Sequence, residues 1–149
     1  MGEDSVRALN RNHFIVRISR VFGKNGKNFV KTMLNLAGKN KKLKVVADQI
    51  GSPTYTKDLA PLLVDMIHTD KFGTYHATNE GFCSWAEFAK EIFKQAKKKV
   101  EVVEIPTVEY PTPARRPFNS RLSKKSLDDA GFERLPTWQD ALKRYLAEL

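Results

Sequence analysis

Apolar positions along this chain alternate between two spacings. Residues 13–22 (HFIVRISRVF) crowd them into a β-like run that follows a helix near the N-terminus, and residues 23–28 make a glycine-containing turn. Residues 29–37 then place Phe29, Val30, Met33, Leu34 and Leu36 at helical spacing, with Asn28 as the cap and Gly38 as the stop. The same alternation continues: a strand over residues 43–47, a helix over 56–68, a strand over 73–78, a helix over 85–96 and a strand over 100–105. Ser84 is placed to cap the helix over 85–96, with Glu87 in the capping-box position. A proline-rich loop covers residues 106–117, and two short helices, 123–130 and 137–149, close the chain, the first ended by Gly131. Strands and helices in turn predict an α/β fold with parallel pairing.

Composition narrows the classes. The chain has 149 residues, 41% hydrophobic, which suits one domain over residues 1–149 with a real core. The single cysteine, Cys83, excludes an intrachain disulfide framework, and charged residues rather than an apolar signal region follow Met1. No apolar run reaches the roughly 20 residues of a membrane span, since Pro61 and Asp65 interrupt residues 59–67. The expectation is a soluble, cytoplasmic protein with no membrane partner.

The formal charge of +9 calls for an anionic partner, and its distribution matters more than its size. Lysines concentrate in GKNKKLK (38–44) and KQAKKKVE (94–101), each ending a helical pattern, where they suit solvation and the helix dipole. Arg115, Arg116 and Arg121 instead share a loop with Pro113, Pro117, Asn119 and Ser120, and guanidinium forks there match phosphate oxygens. Nucleic acid is not the expected partner, because the aromatic residues fall at core-facing positions rather than among the basic runs.

Few catalytic patterns survive inspection. GKNGKNF (23–29) lies between a strand and a helix, with Asp48 about 20 residues on, as in a dinucleotide fingerprint, yet Phe29 stands where a small residue is needed. His13, His68 and His76 do not cluster with Cys83 at metal-ligand spacing, and there is no G-x-S-x-G elbow. Cys83 reads as a small buried residue, and Trp85 and Trp138 as packing residues on amphipathic helices. No catalytic residue and no metal ligand is assigned.

The stretch VVADQIGSPTYTKDLA (45–60), then GTYHATNEGFCSWAEFAKEIF (73–93), then PTPARRPFNSRLS (111–123), resembles in order the C-terminal half of the dTDP-4-dehydrorhamnose reductases, which are extended short-chain dehydrogenase/reductases. The similarity runs from Met1-Gly2-Glu3 to the terminal WQDALKRYLAEL. It implies the last Rossmann strands (14–18 and 74–78) joined to a small substrate-binding α/β subdomain in which residues 44–47 and 100–105 pair. The family's N-terminal half carries a glycine-rich cofactor turn and a catalytic Tyr-x-x-x-Lys pair just before a Gly-Glu like Gly2-Glu3. Neither occurs here: Leu59, Asn79, Ala114 and Leu149 stand four residues after Tyr55, Tyr75, Tyr110 and Tyr145. The resemblance thus implies NADPH or NADH in the complete enzyme and no cofactor bound by this chain alone. It also implies a dTDP-sugar nucleotide as ligand, and either a separate N-terminal Rossmann half or self-association. A regulatory or binding protein on the same scaffold is the alternative.

On this resemblance the abrupt GSPT turn, Gly51, Ser52, Pro53 and Thr54, runs beside the substrate cleft. Gly51 is expected to allow unusual backbone angles and Pro53 to fix the exit, with Asp48 and Gln49 bracing the turn. Arg115 and Arg116 are assigned to the diphosphate, and Asn119 and Ser120 to the ligand or to pinning the loop. Asn28 and Phe29, opening a helix, are weaker candidates for approach to the nucleotide. One departure stands out, because relatives read R-x-S-W-V-Y where this chain has Arg17-Ile18-Ser19-Arg20-Val21-Phe22. Arg20 therefore replaces an aromatic residue at the sugar, free either to pair with phosphate or to disturb sugar binding.

Overall fold

In the computed structural model, which describes residues 2–112, 114 and 116–149, α1 (Gly2–Leu9) leads into β1 (Phe14–Arg17). Glu3 ties the two together, its carboxylate accepting from the Arg17 guanidinium at 2.6 and 2.9 Å. The expected strand over 13–22 is broken. Ser19 and Arg20 interrupt it, Arg20 adopting φ 48°, and β2 (Val21–Phe22) starts in a new direction. The reason is a change of partner: β1 pairs in parallel with β6 (Gly73–His76), whereas β2 pairs in parallel with β5 (Thr54–Tyr55). A left-handed non-glycine residue is costly, and the Arg20 carbonyl offsets part of that by accepting from the Thr54 amide, while the Ser19 carbonyl accepts from Thr54 Oγ1 at 2.7 Å.

α2 (Phe29–Ala37) forms as expected, Asn28 Oδ1 accepting from the Lys31 amide at 3.0 Å. β3 (Lys42–Val46) pairs in parallel with β8 (Glu101–Ile105), a third independent ribbon. Two short strands that the pattern did not announce, β4 (Ile50–Gly51) and β7 (Cys83–Ser84), pair antiparallel. They are too short to show an alternation, and their pairing depends on segments distant in sequence. α3 (Thr56–Ile67) and α4 (Trp85–Gln95) each end within a residue of expectation, and α4 carries the full capping box of Ser84 and Glu87. The 73–78 strand stops at His76, and the C-terminal helices shrink to α5 (Lys125–Ala130) and α6 (Trp138–Leu146).

The apolar stripes of α2, α4 and α6 converge on one core containing Phe22, Val30, Phe88, Ile92, Leu142 and Tyr145. Phe22 sits at its centre, stacked 5.3 Å from Tyr55 and edge-on to Tyr145. A second core joins α3, α5 and β6 through Leu62, Met66, Tyr75 and Leu127. This packing fixes β3, β4, β7 and the start of α4 relative to one another, and the site lies where those four elements meet. Among the described residues no helix is long and apolar enough to cross a membrane.

Candidate functional site

β3 ends at Val46, and the next residues form a hydrogen-bonded chain. The Asp48 carboxylate accepts from the Thr107 amide at 2.9 and 3.0 Å and from its hydroxyl at 2.5 Å. Those bonds, the hydroxyl first, hold the Asp48 carboxyl below its usual range. Thr107 Oγ1 in turn accepts from Gln49 Nε2 at 3.0 Å, which leaves Gln49 Oε1 to accept from Trp85 Nε1 at 3.2 Å. Asp48 and Gln49 therefore brace the segment after β8 and orient Trp85, rather than the GSPT turn itself.

Trp85 opens α4, with no preceding helical turn to cover it. One side packs on Phe29, ring centroids 4.7 Å apart, and the Arg20 guanidinium lies over the ring at 4.2 Å. Arg20 also donates from Nη1 to the Cys83 carbonyl at 2.7 Å and from Nη2 to the Gln49 carbonyl at 2.8 Å. It clamps β7 and the β3–β4 link onto Trp85. Burial, and more weakly the neighbouring Arg116, pull its pKa below the ordinary arginine value. Trp85 is the residue that reading the sequence as packing misses. The available signal was its position as the first helical residue after a strand, where a large ring keeps a face for a neighbour.

Around this pair lies a cleft of about 230 Å³ lined by Ser19, Arg20, Gln49, Trp85, Arg116, Pro117 and Ser120. Its described lining holds two arginines and no carboxylate, so an anion is the complementary occupant. A larger hollow of about 490 Å³ between α3 and residues 131–136 is less suited. It mixes Lys57, Lys71 and Arg134 with Asp58, Asp65 and Glu133, and the Asp58 carboxylate already accepts from Arg144 Nη1 and Nη2 at 2.6 and 2.8 Å.

The expected site residues distribute unevenly. Arg20, Arg116 and Ser120 line the cleft, and Arg115 lies outside the described residues. Asn119 pairs with Ile50 as a one-residue bridge, so residues 118–120 run along β4 like an added strand: the Ile50 amide donates to the Phe118 carbonyl, and the Ser120 amide donates back to Ile50 at 2.8 Å. The Asn119 side chain accepts from the Arg121 amide, which is a loop-pinning bond. Ser52, Pro53 and Thr54 are buried, with Ser52 Oγ donating to the Gly81 carbonyl and Thr54 Oγ1 to Ser19, so they support the cleft from beneath rather than reach into it. Gly51 needs correction too. Its φ is not in the left-handed region; a Cβ there would stand 2.5 Å from Ser120 Oγ and 3.0 Å from Arg20 Nε, so glycine is required for close approach. Arg20 is committed to two carbonyls and a ring, not free as a flexible cation. Asn28 is spent on the Lys31 amide, the Gly23 carbonyl and the Tyr145 hydroxyl, and Phe29 backs Trp85 without lining the cleft.

The 23–29 turn does not fit a dinucleotide. Phe29 fills the helix–strand approach by packing on Trp85 and Phe88, and Lys31 Nζ closes the loop onto the Lys24 and Gly26 carbonyls. Cys83 is buried, and burial pushes its thiol up to about 12, far from a nucleophile's range. Among the described residues no group of three or more His, Cys, Asp or Glu side chains is arranged for a metal ion.

A family model described as the RmlD substrate binding domain matches residues 1–149. Over 148 residues the chain is 42% identical to the spore coat polysaccharide biosynthesis protein SpsK of Bacillus subtilis, covering 99% of the chain and 52% of SpsK. It is 40% identical to the dTDP-4-dehydrorhamnose reductase of Sinorhizobium fredii, covering 96% of the chain and 52% of that enzyme. Among solved structures, the dTDP-4-dehydrorhamnose reductase of Bacillus anthracis in complex with NADP superposes with a TM-score of 0.93 at 46% identity, covering 99% of this chain and 52% of that one. The ortholog from Clostridium acetobutylicum gives 0.95 at 41% identity, with the same coverage. The chain spans about half the length of the relatives it matches.

Proposed function

Because the chain belongs to the RmlD substrate binding domain family, we propose that residues 1–149 act as one domain that holds the dTDP-sugar of an NAD(P)H-dependent dTDP-4-dehydrorhamnose reductase. One observation carries this reading: Arg20 and Arg116 face a cleft walled by Trp85 whose described lining contains no carboxylate. Arg116, exposed and without a carboxylate beside it in that lining, takes the diphosphate; Ser120 supplies a hydroxyl at the same wall. Arg20 contributes charge from a fixed position and keeps Trp85 upright, so the cleft is shaped before the ligand arrives.

NADPH or NADH supplies the hydride for the 4-keto group, and the residues that would hold it, like the proton-donating Tyr-x-x-x-Lys pair, lie outside these 149 residues. The part of this chain is then to bind the nucleotide-sugar and orient its ring, and the chain alone is inactive. The test combines two readouts on the purified chain. Titrating dTDP-rhamnose should quench the fluorescence of Trp85, with the buried Trp138 as a constant background, while NADPH with dTDP-4-dehydrorhamnose should give no oxidation of the cofactor. Absence of quenching would remove the cleft as the ligand site; turnover at rates typical of enzymes would contradict the division of labour.

A further inference from the structure

The two lysine-rich segments, distant in sequence, become neighbours in the fold. The β3–β8 register sets Lys42 beside Glu101, and the Glu101 amide donates to the Lys41 carbonyl at 2.9 Å. Residues 38–41 and 97–100 therefore lie side by side where both strands begin. The cleft lies past the other end of the same five-residue ribbon, beyond Val46 and Ile105, which is roughly 16 Å long at about 3.3 Å per strand residue. Eight exposed lysines occupy residues 39–44 and 94–99. Lys42 pairs with Glu101 and Lys94 with Glu91. Among the described residues, Lys39, Lys41, Lys44, Lys97, Lys98 and Lys99 form no ion pair.

Helix capping does not account for them. The last carbonyls of α2 and α4 accept from backbone amides and from Asn40, with no lysine ammonium involved. Lys97 is more telling. It sits just past α4 at φ 53°, where its amide donates to Lys94 and the next amide to Phe93, the position at which glycine is favoured. At the equivalent place after α5 the chain does use glycine, Gly131 at φ 74°. A lysine in the left-handed region is held there against conformational preference, and charge is what it adds.

We propose that this corner adsorbs the protein onto an anionic phospholipid bilayer, leaving the cleft at the opposite end of the ribbon facing away. The cations are all lysines, without the arginine forks that read a single phosphate and without exposed aromatic residues for stacking bases; Leu36, Leu43 and Val100 beside them are half-buried. Point charges spread over two loops match a diffuse, fluid negative surface. Adsorption of this kind needs no apolar span, so the expectation of no membrane partner, which rested on the absence of one, does not extend to it.

The test is sedimentation of the full chain with vesicles of phosphatidylcholine alone or mixed with phosphatidylglycerol. Binding should appear only with the anionic lipid and vanish at high salt. At about fivefold per lysine, Lys41→Gln with Lys98→Gln should weaken partition roughly 25-fold, whereas Arg116→Ala should leave it unchanged. Lys97→Gly should weaken partition about fivefold while raising thermal stability, a split that a purely structural lysine would not give. Equal binding to both vesicle types, wild-type partition by the double variant, or displacement by RNA of vesicles the chain binds no better than it binds that RNA would overturn the proposal.

Discussion

Replacing Gly51 by alanine adds one methyl group to a strand residue whose backbone any amino acid can adopt, so the effect isolates crowding from backbone strain. The new carbon would stand 2.5 Å from Ser120 Oγ, 3.0 Å from Arg20 Nε and 3.2 Å from its Cζ. Neither neighbour yields freely. Ser120 Oγ donates to the Ile50 carbonyl at 3.1 Å, and Arg20 is held by two carbonyls and the face of Trp85. Overpacking of this kind costs about 1 to 3 kcal/mol, and a displaced neutral hydrogen bond adds about 1 kcal/mol. A loss of about 2 to 4 kcal/mol follows, read from urea unfolding followed by tryptophan fluorescence. Ser120→Ala removes the nearer obstacle, so Gly51→Ala should be milder in that background, with a coupling of at least about 0.5 kcal/mol. Gly51→Ala within about 0.5 kcal/mol of wild type, or additive effects in the double variant, would refute the close-approach argument.

Other outcomes follow from the same geometry. Arg20→Ala should cost about 2 to 3 kcal/mol in unfolding experiments, because two carbonyls lose a charged donor, and it should shift the Trp85 emission; an unaltered spectrum would mean the ring does not depend on the clamp. The Asp48 carboxyl lies below its ordinary value of 3.8 in the folded state, through the Thr107 hydroxyl and amide. Its contribution to stability is thus present above that value and lost as pH falls through the lower folded one, and Asp48→Asn should flatten the fall of stability in acid below that ordinary value, as read from urea unfolding across the acid range. Among the described residues β1 and β6 pair only with each other, in a two-stranded ribbon, which leaves edges unpaired. The isolated chain should therefore self-associate at high concentration in light scattering, and a monodisperse monomer would count against an exposed edge there.

Helices were legible in the sequence where caps and periodicity agreed: Asn28 and Gly38 around α2, and Ser84 with Glu87 at α4, mark their ends within a residue. The broken strand at Ser19–Arg20 was not, because HFIVRISRVF is uniformly β-like and the reason for the break, a change of partner from β6 to β5, is a long-range fact. The site was half visible. Arg116 and Ser120 lie where the loop composition pointed, while Ser52 and Thr54 look like ligand groups in sequence but find backbone partners that only the fold supplies. Gly51 was noticed for its conformational freedom and turns out to matter for its missing side chain. Arg20 and Trp85 make one unit that no local pattern shows, since they lie on different segments and meet where Arg20 reaches the Cys83 and Gln49 carbonyls across the fold.

The central claim, that the arginine-lined cleft takes the diphosphate of a dTDP-sugar, is tested most directly by calorimetric titration of wild-type and Arg116→Ala protein with dTDP-rhamnose. The wild-type chain should bind weakly and lose affinity as salt rises, dTDP alone should retain most of the binding, and Arg116→Ala should bind less tightly by about 1.5 to 3 kcal/mol, the worth of a charge-assisted hydrogen bond. Equal affinity of the two proteins for dTDP-rhamnose would contradict it.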